Sequence, residues 1–199
     1  MPAPPHELPE RFVGLWQRTH LEEPRGTVRD SLERDGSSVF WLQHASGWYV
    51  DVRRVHCESR PRAFAGTCSH ALDAASGRDI LTWTRYMDTR PELLPSGVDA
   101  AAAELSADGR TLVEDGGDAY LERWRRVDTG SSSKPAFVGE PPHAARVCLS
   151  LAGAVAHARV EECASERQPL GAPPLLEVEY RAEGGAVELF FRSDGSPSA

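Results

Sequence analysis

Apolar and polar residues alternate in short runs along this chain, and the alternation has the period of β-strands rather than of helices. Over residues 12–19, Phe12, Gly14, Trp16 and Arg18 fall on one side, and Val13, Leu15, Gln17 and Thr19 on the other. Residues 39–43 and 48–53 flank His44-Ala45-Ser46-Gly47, a loop suited to a hairpin. Residues 63–69 and 80–87 form a second hairpin across the turn-rich stretch 73–79. Residues 98–105 and 111–114 flank Asp108-Gly109, and 119–127 follow Asp115-Gly116-Gly117-Asp118. The alanine-rich run 100–104 also admits a turn of helix, because alanine favours helix over strand. Residues 20–38, with Pro24, Gly26 and Asp35-Gly36, read as a long connection holding a short strand around 27–32. Short strands with turns at roughly 8–12-residue spacing predict an all-β antiparallel meander.

The pattern changes after Asp128. Residues 129–135, Thr-Gly-Ser-Ser-Ser-Lys-Pro, are linker material. Strand-like runs follow at 146–151, 154–161, 175–181 and 187–192, with turns at Gly153 and Gly184-Gly185 and a longer loop over 169–174. So few strands make a poor core alone. The expected organisation is a flexible lead-in over 1–10, a β domain over 11–128 and a linker over 129–135. A C-terminal strand segment over 136–192 then packs on the first domain or forms a truncated second one, and 193–199 is a disordered tail.

A chain of 199 residues can bury a sizeable core in one domain. The formal net charge of −8 argues against nucleic-acid binding and against adhesion to anionic membrane. No apolar run approaches the roughly 20 residues of a membrane span. Residues 1–12 show neither a basic start nor an apolar stretch, so the expected location is cytoplasmic. In that reducing compartment Cys57, Cys68, Cys148 and Cys163 are expected as free thiols, and their spacing matches no metal pattern.

Gly14-Leu-Trp-Gln-Arg18, Val39-Phe-Trp-Leu-Gln43 with Tyr49-Val-Asp-Val-Arg53, Phe64-Ala-Gly66, Leu81-Thr-Trp-Thr-Arg85 with Asp88, and Tyr120-Leu-Glu-Arg-Trp-Arg125 occur in this order. Together they resemble the lipocalin-like (calycin) barrels, most of all the fungal casein-kinase-interacting lipocalin-like family and its uncharacterised bacterial relatives. The resemblance covers about residues 11–127 and implies an antiparallel meander closed into a β-barrel, with the C-terminal strands as an extra set. It further implies that Trp16 plugs one end with Arg123 or Arg125 stacked on its indole, although an ordinary core tryptophan fits the same dipeptide. The fungal member carries two barrels in tandem, for which this chain is too short. The group has no established enzymatic role.

Counting by twos places Trp41 with Val39 and Gln43, Tyr49 with Asp51 and Arg53, Trp83 with Leu81 and Arg85, and Tyr120 with Glu122 and Trp124. Mixed aromatic and polar faces suit a cavity, where rings bury an apolar body and placed polar groups orient its polar end. The candidate ligand-binding residues are therefore Trp41, Gln43, Tyr49, Arg53, Trp83, Arg85 and Glu122, with Arg85 as the anion-binding group. Two other arrangements stand beside this one: the arginines point outward, or Glu122, Asp51 and Asp88 neutralise them inside a filled barrel. A haem-binding barrel would need one cavity histidine; among the scattered histidines only His70 at a strand end comes near that role, and a histidine there is more often a solvated loop residue. No catalytic residue, metal site or cofactor is assigned, and no nucleotide-binding or nucleophile-elbow motif occurs. The leading expectation is a binding barrel for a small, partly apolar molecule, with an anionic ligand favoured by the arginines. The alternatives are a protein-interaction scaffold, or an isomerase, cyclase or decarboxylase using an arginine and a carboxylate.

Overall fold

The computed structural model describes residues 8–54, 62–88 and 96–128, together with the backbone of C-terminal strands within 136–192. The lead-in over 1–7, the linker over 129–135 and the tail over 193–199 lie outside the described residues. So do Cys57 and Cys163 and the side chain of Cys148.

Strands β1 (Gly14–Glu22), β2 (Val28–Ser31), β3 (Ser38–Gln43), β4 (Trp48–Arg54) and β5 (Arg62–Leu72) come first. They are followed by β6 (Asp79–Asp88), β7 (Val98–Leu105), β8 (Thr111–Asp115) and β9 (Leu121–Asp128). Successive strands pair antiparallel in the order β2-β1-β3-β4-β5-β6-β7-β8-β9, and β9 returns to pair with β1. The result is a closed, eight-stranded, lipocalin-like barrel with β2 as an extra strand. Closure leaves the eight barrel strands without free edges. A separate antiparallel sheet, β10 (Ala136–Val138), β11 (Arg146–Leu151), β12 (Ala154–Glu161), β13 (Leu175–Arg181) and β14 (Val187–Arg192), runs in sequence order. Four of these strands coincide with the C-terminal runs expected from the sequence.

Some expectations required correction. β1 extends to Glu22, into what read as a connection, because its second half pairs with β2 as well as β9. Residues 100–104 are strand, not helix: Ala101 and Ala103 face the interior on alternate positions of β7, where small side chains fit beside bulky ones. The short helix of the region is α1 (Leu32–Asp35), ended by Gly36 in the left-handed conformation at φ 68°.

β1 serves two partners on one side. Gly14–Gln17 pair with β3, and His20–Glu22 pair with β2. At the opposite end a 3₁₀ turn, Glu10–Phe12, crosses beneath the barrel and buries Phe12 completely. Trp16 stands above it, fully buried, and its Nε1 donates to the Phe12 carbonyl at 3.1 Å. The arginine on this indole is Arg126, whose guanidinium carbon lies 4.4 Å from the ring centroid, and not Arg123 or Arg125. The inward alternation of Glu122 and Trp124 continues to Arg126, whereas Arg125 turns out to reach Gln17. Arg126 also donates to the carbonyls of Val13 and Arg11, holding the turn against the barrel.

Candidate functional site

Above the Trp16 floor the interior is aromatic, then ionic. Trp41 on β3 is the hub: its ring centroid lies 6.1 Å from Trp16, 5.8 Å from Trp83 and 5.7 Å from Trp124. Beyond this layer, toward the end where β1 meets β2, lies a cavity of about 350 Å³. That is the small end of the range for ligand sites, about 300–1,000 Å³. Trp41, Tyr49, Arg53, Trp83, Arg85 and Glu122 all line it. Gln43 does not. It is fully buried in the floor, where its Oε1 accepts from Trp41 Nε1 and its Nε2 donates to the carbonyls of His44 and Trp48. Its polarity is consumed by the packing of the β3–β4 turn.

The arginines point inward, and most are neutralised. Arg18 donates to Glu122 at 2.6 Å and to Asp30 on β2 at 2.9 Å, and all three are buried. Arg53 grips Asp51 through two bonds of 2.8 and 3.0 Å and lies 3.6 Å from Glu122. Arg62 makes a similar fork to Asp88 at 3.2 and 2.6 Å. The buried ionic cluster expected as one alternative therefore exists around Asp51, Asp88 and Glu122. It coexists with an open cavity.

Arg85 is paired more loosely. It donates to Asp88 at 3.4 Å and lies 3.7 Å from Asp99, both longer than the closest contacts of the other cavity arginines, and its Nε has no partner in the protein. Phe64 on β5 presents its ring to three guanidinium groups, at 4.0 Å from Arg85, 4.8 Å from Arg53 and 5.0 Å from Arg62. The ring quadrupole supports positive charge there without neutralising it. A bulge in β6 aims Arg85. Ala65 pairs with Met87 but Gly66 pairs with Arg85, so an extra residue intervenes. Gly66 is required at this point, since a Cβ there would stand 1.8 Å from the Thr84 carbonyl oxygen.

Several buried polar atoms of the cavity wall have no partner in the protein: Arg18 Nε, Tyr49 Oη, Arg85 Nε, Trp124 Nε1 and Glu114 Oε1. Burial pushes the phenols of Tyr49 and Tyr120 well up, so both remain neutral donors; Tyr120 gives its hydrogen to Asp99 at 3.2 Å.

Sequence reading did not single out Glu114, Asp30, Asp99, Arg62 or Phe64 for the site. Glu114 and Glu122 are direct cross-strand partners of β8 and β9, both inward and buried. Burial acts to raise Glu122, but Arg18 and Arg53 outweigh it and hold that carboxyl low. Burial, reinforced by the charge of Glu122, pushes the Glu114 carboxyl well up. The two carboxyls are thus driven apart, Glu122 toward the ionised form and Glu114 toward the protonated one. The alternation Leu112, Glu114 on β8 carried the signal, once its pairing with β9 was known.

His70 lies away from the cavity wall. Its Nε2 is 2.6 Å from Asp79, which also accepts from Arg11, and its ring packs 5.7 Å from Phe12. Cys68 is a free, fully buried thiol, and burial pushes its pKa up, away from reactivity. Among the described residues no cluster of histidine, cysteine and carboxylates is placed to hold a metal, and no helix is long and apolar enough to cross a membrane.

No protein-family model and no curated protein matches the chain. Among solved structures it is similar to an uncharacterized protein from Bacteroides eggerthii DSM 20697. The two share 14% identity over 58% of this chain and 98% of that chain, with a TM-score of 0.39. So distant a likeness carries no argument about function, and no fungal or other family is shown for the chain.

Proposed function

We propose that this is a cytoplasmic, lipocalin-like binding protein whose barrel takes a small molecule with an apolar, ring-sized body and an anionic head. The observation that carries this reading is the set of unpartnered donors, Arg85 Nε, Tyr49 Oη, Trp124 Nε1 and Arg18 Nε, on the wall of one cavity. Buried donors left without a partner each cost about 1–3 kcal/mol, so a wall of them fits an acceptor-rich guest. Arg85 anchors the head, because its charge is the least neutralised of the cavity arginines, while Trp41, Trp83 and Trp124 enclose the body. The cavity favours binding over the interaction-scaffold alternative, which calls for a filled interior. The free thiol of Cys68 fits a reducing compartment.

Native mass spectrometry of protein purified from its own host tests the reading directly: a retained small acid is expected, and a consistently empty protein that no aromatic or aliphatic carboxylate stabilises would refute it. Arg85→Met keeps the apolar stem and removes the donors. It should weaken a carboxylate ligand by about 1.5–3 kcal/mol in calorimetric titration, with the fold intact. A second reading, an acid–base enzyme in the same cavity, is favoured by Glu114, an inward carboxyl that no arginine saturates. It requires chemical turnover of the retained molecule by the native protein and loss of that turnover in Glu114→Gln.

A further inference from the structure

The unpartnered atoms of the cavity are donors with one exception, and the exception faces the opposite wall. Around the closed ring β1-β3-β4-β5-β6-β7-β8-β9, strands β4 and β8 are diametrically opposed. Tyr49 lies on β4 and Glu114 on β8, so the two face each other across the cavity. Two buried carboxyl groups on directly paired positions of neighbouring strands, both facing inward, cannot readily both ionise, so one of them keeps a proton. Glu122 is fixed as the ionised member by Arg18 at 2.6 Å, so the proton belongs to Glu114, and we place it on Oε2. That leaves Glu114 Oε1 as a carbonyl-like acceptor, buried, without a partner, and on the cavity wall. The buried Tyr49 hydroxyl and Trp124 indole N–H, also without a partner in the protein, belong to the same wall and offer donors to a guest.

We propose that Glu114 is the specificity-determining residue of the cavity, selecting an acid that carries a hydroxyl or N–H donor at the end remote from its carboxylate. The proposal rests on the reading of the cavity as an anion-binding site. The chemical class is a hydroxylated or N–H-bearing aromatic acid. Its ring lies among the tryptophans, its carboxylate meets Arg85 and Tyr49, and its distal donor meets Glu114 Oε1. An isostere without the distal donor leaves that oxygen unpaired, which is how a polar site rejects a smaller competitor.

The class also makes binding depend on pH. Glu114 is faced by Glu122 on β9, Tyr120 just before that strand, Asp99 on β7, Asp51 and Arg53 on β4 and Cys68 on β5. Loss of its proton places a second anion beside Glu122 and opposes an anionic guest, so affinity falls as pH rises through the titration of Glu114.

The test is calorimetric titration of the full chain with 3-(4-hydroxyphenyl)propionate and with 3-phenylpropionate, across neutral to alkaline pH. The native protein should bind the hydroxylated acid at least about tenfold more tightly, the equivalent of about 1.4 kcal/mol. Glu114→Gln keeps an acceptor for the guest and a donor for Glu122, so it should retain that preference while losing the alkaline decline. Glu114→Leu, with circular dichroism confirming the fold, should bind both acids equally. Equal binding of the two acids by the native protein, or a preference that survives in Glu114→Leu, overturns the role of Glu114 and leaves the anion site standing. Binding of neither acid at millimolar concentration overturns the anion site and this inference together.

Discussion

Arg18, Glu122 and Glu114 form a chain in which each residue sets the state of the next. Glu122 is ionised because Arg18 and Arg53 hold it so, and Glu114 keeps its proton because it is buried against Glu122. Glu122→Gln would strand the buried Arg18 with Asp30 alone, and loss of one partner of such a pair costs about 3–5 kcal/mol. A fall of that size in the urea-unfolding free energy at neutral pH is expected. Glu114 acts in the opposite sense. An unfolded glutamate ionises above about pH 4.3, whereas the folded one stays protonated to a higher pH. The folded state therefore binds the extra proton, and stability falls as pH rises from the ordinary glutamate range toward the raised value. Glu114→Gln should raise the urea midpoint at pH ~8, and the gain should vanish near pH ~4. A gain that is independent of pH would mean that Glu114 is ionised in the folded protein.

At the scale of the strand, what decides the site is register. Alternation along β3, β4, β6 and β9 was legible from the residues alone, because Trp41, Tyr49, Trp83, Glu122 and Trp124 do share the inward side. The bulges were not legible. Residues three apart on a regular strand face opposite ways, yet Arg85 and Asp88 meet at 3.4 Å because β6 gains a residue opposite Ala65 and Gly66. Nothing in Thr-Arg-Tyr-Met-Asp announces that extra residue. Its only trace is Gly66 on the neighbouring strand, a position that excludes every side chain. The register across even neighbouring strands was equally hidden, which is why Glu114 went unnoticed beside Glu122 across the β8–β9 turn, and Asp30 on β2 beside Arg18 on β1. Arg126 was legible and was missed, since the period of two that brings Trp124 inward reaches it next. Gly66→Ala forces a Cβ against the Thr84 carbonyl and should cost about 1–3 kcal/mol or more. It should weaken carboxylate binding beyond what the loss of stability explains, because the bulge that aims Arg85 would have to shift. Unaltered urea unfolding would show that β5 and β6 pair in another register.

For the whole molecule, closure of the barrel is complete at β9 and uses no residue after Asp128. The outer side of the barrel nevertheless carries buried apolar residues, Leu42, Trp48, Val50 and Val52, while β11 runs near β4 and β13 near β5. We expect the C-terminal strands to cover this face. A chain ending at Asp128 should then keep the cavity and its affinity for carboxylates, but bind a hydrophobic dye and unfold at lower urea. Loss of ligand affinity on truncation would instead make the C-terminal strands part of the site, and unchanged dye binding would exclude them as a cover.

The tryptophans of the interior also have an optical consequence. Trp41 touches Trp16, Trp83 and Trp124 at centroid distances near 6 Å, with one ring stacked and two edge-on. Indoles so close share their excited states, and the light absorbed by one is passed among all four. The near-ultraviolet circular dichroism of the protein should therefore show the paired positive and negative lobes of coupled transitions, and Trp41→Phe alone should collapse them. A molecule entering the cavity lies against three of these rings, so it dims or shifts the emission of the whole set. The barrel is its own reporter, and an unknown occupant can be found by watching its light before its name is known.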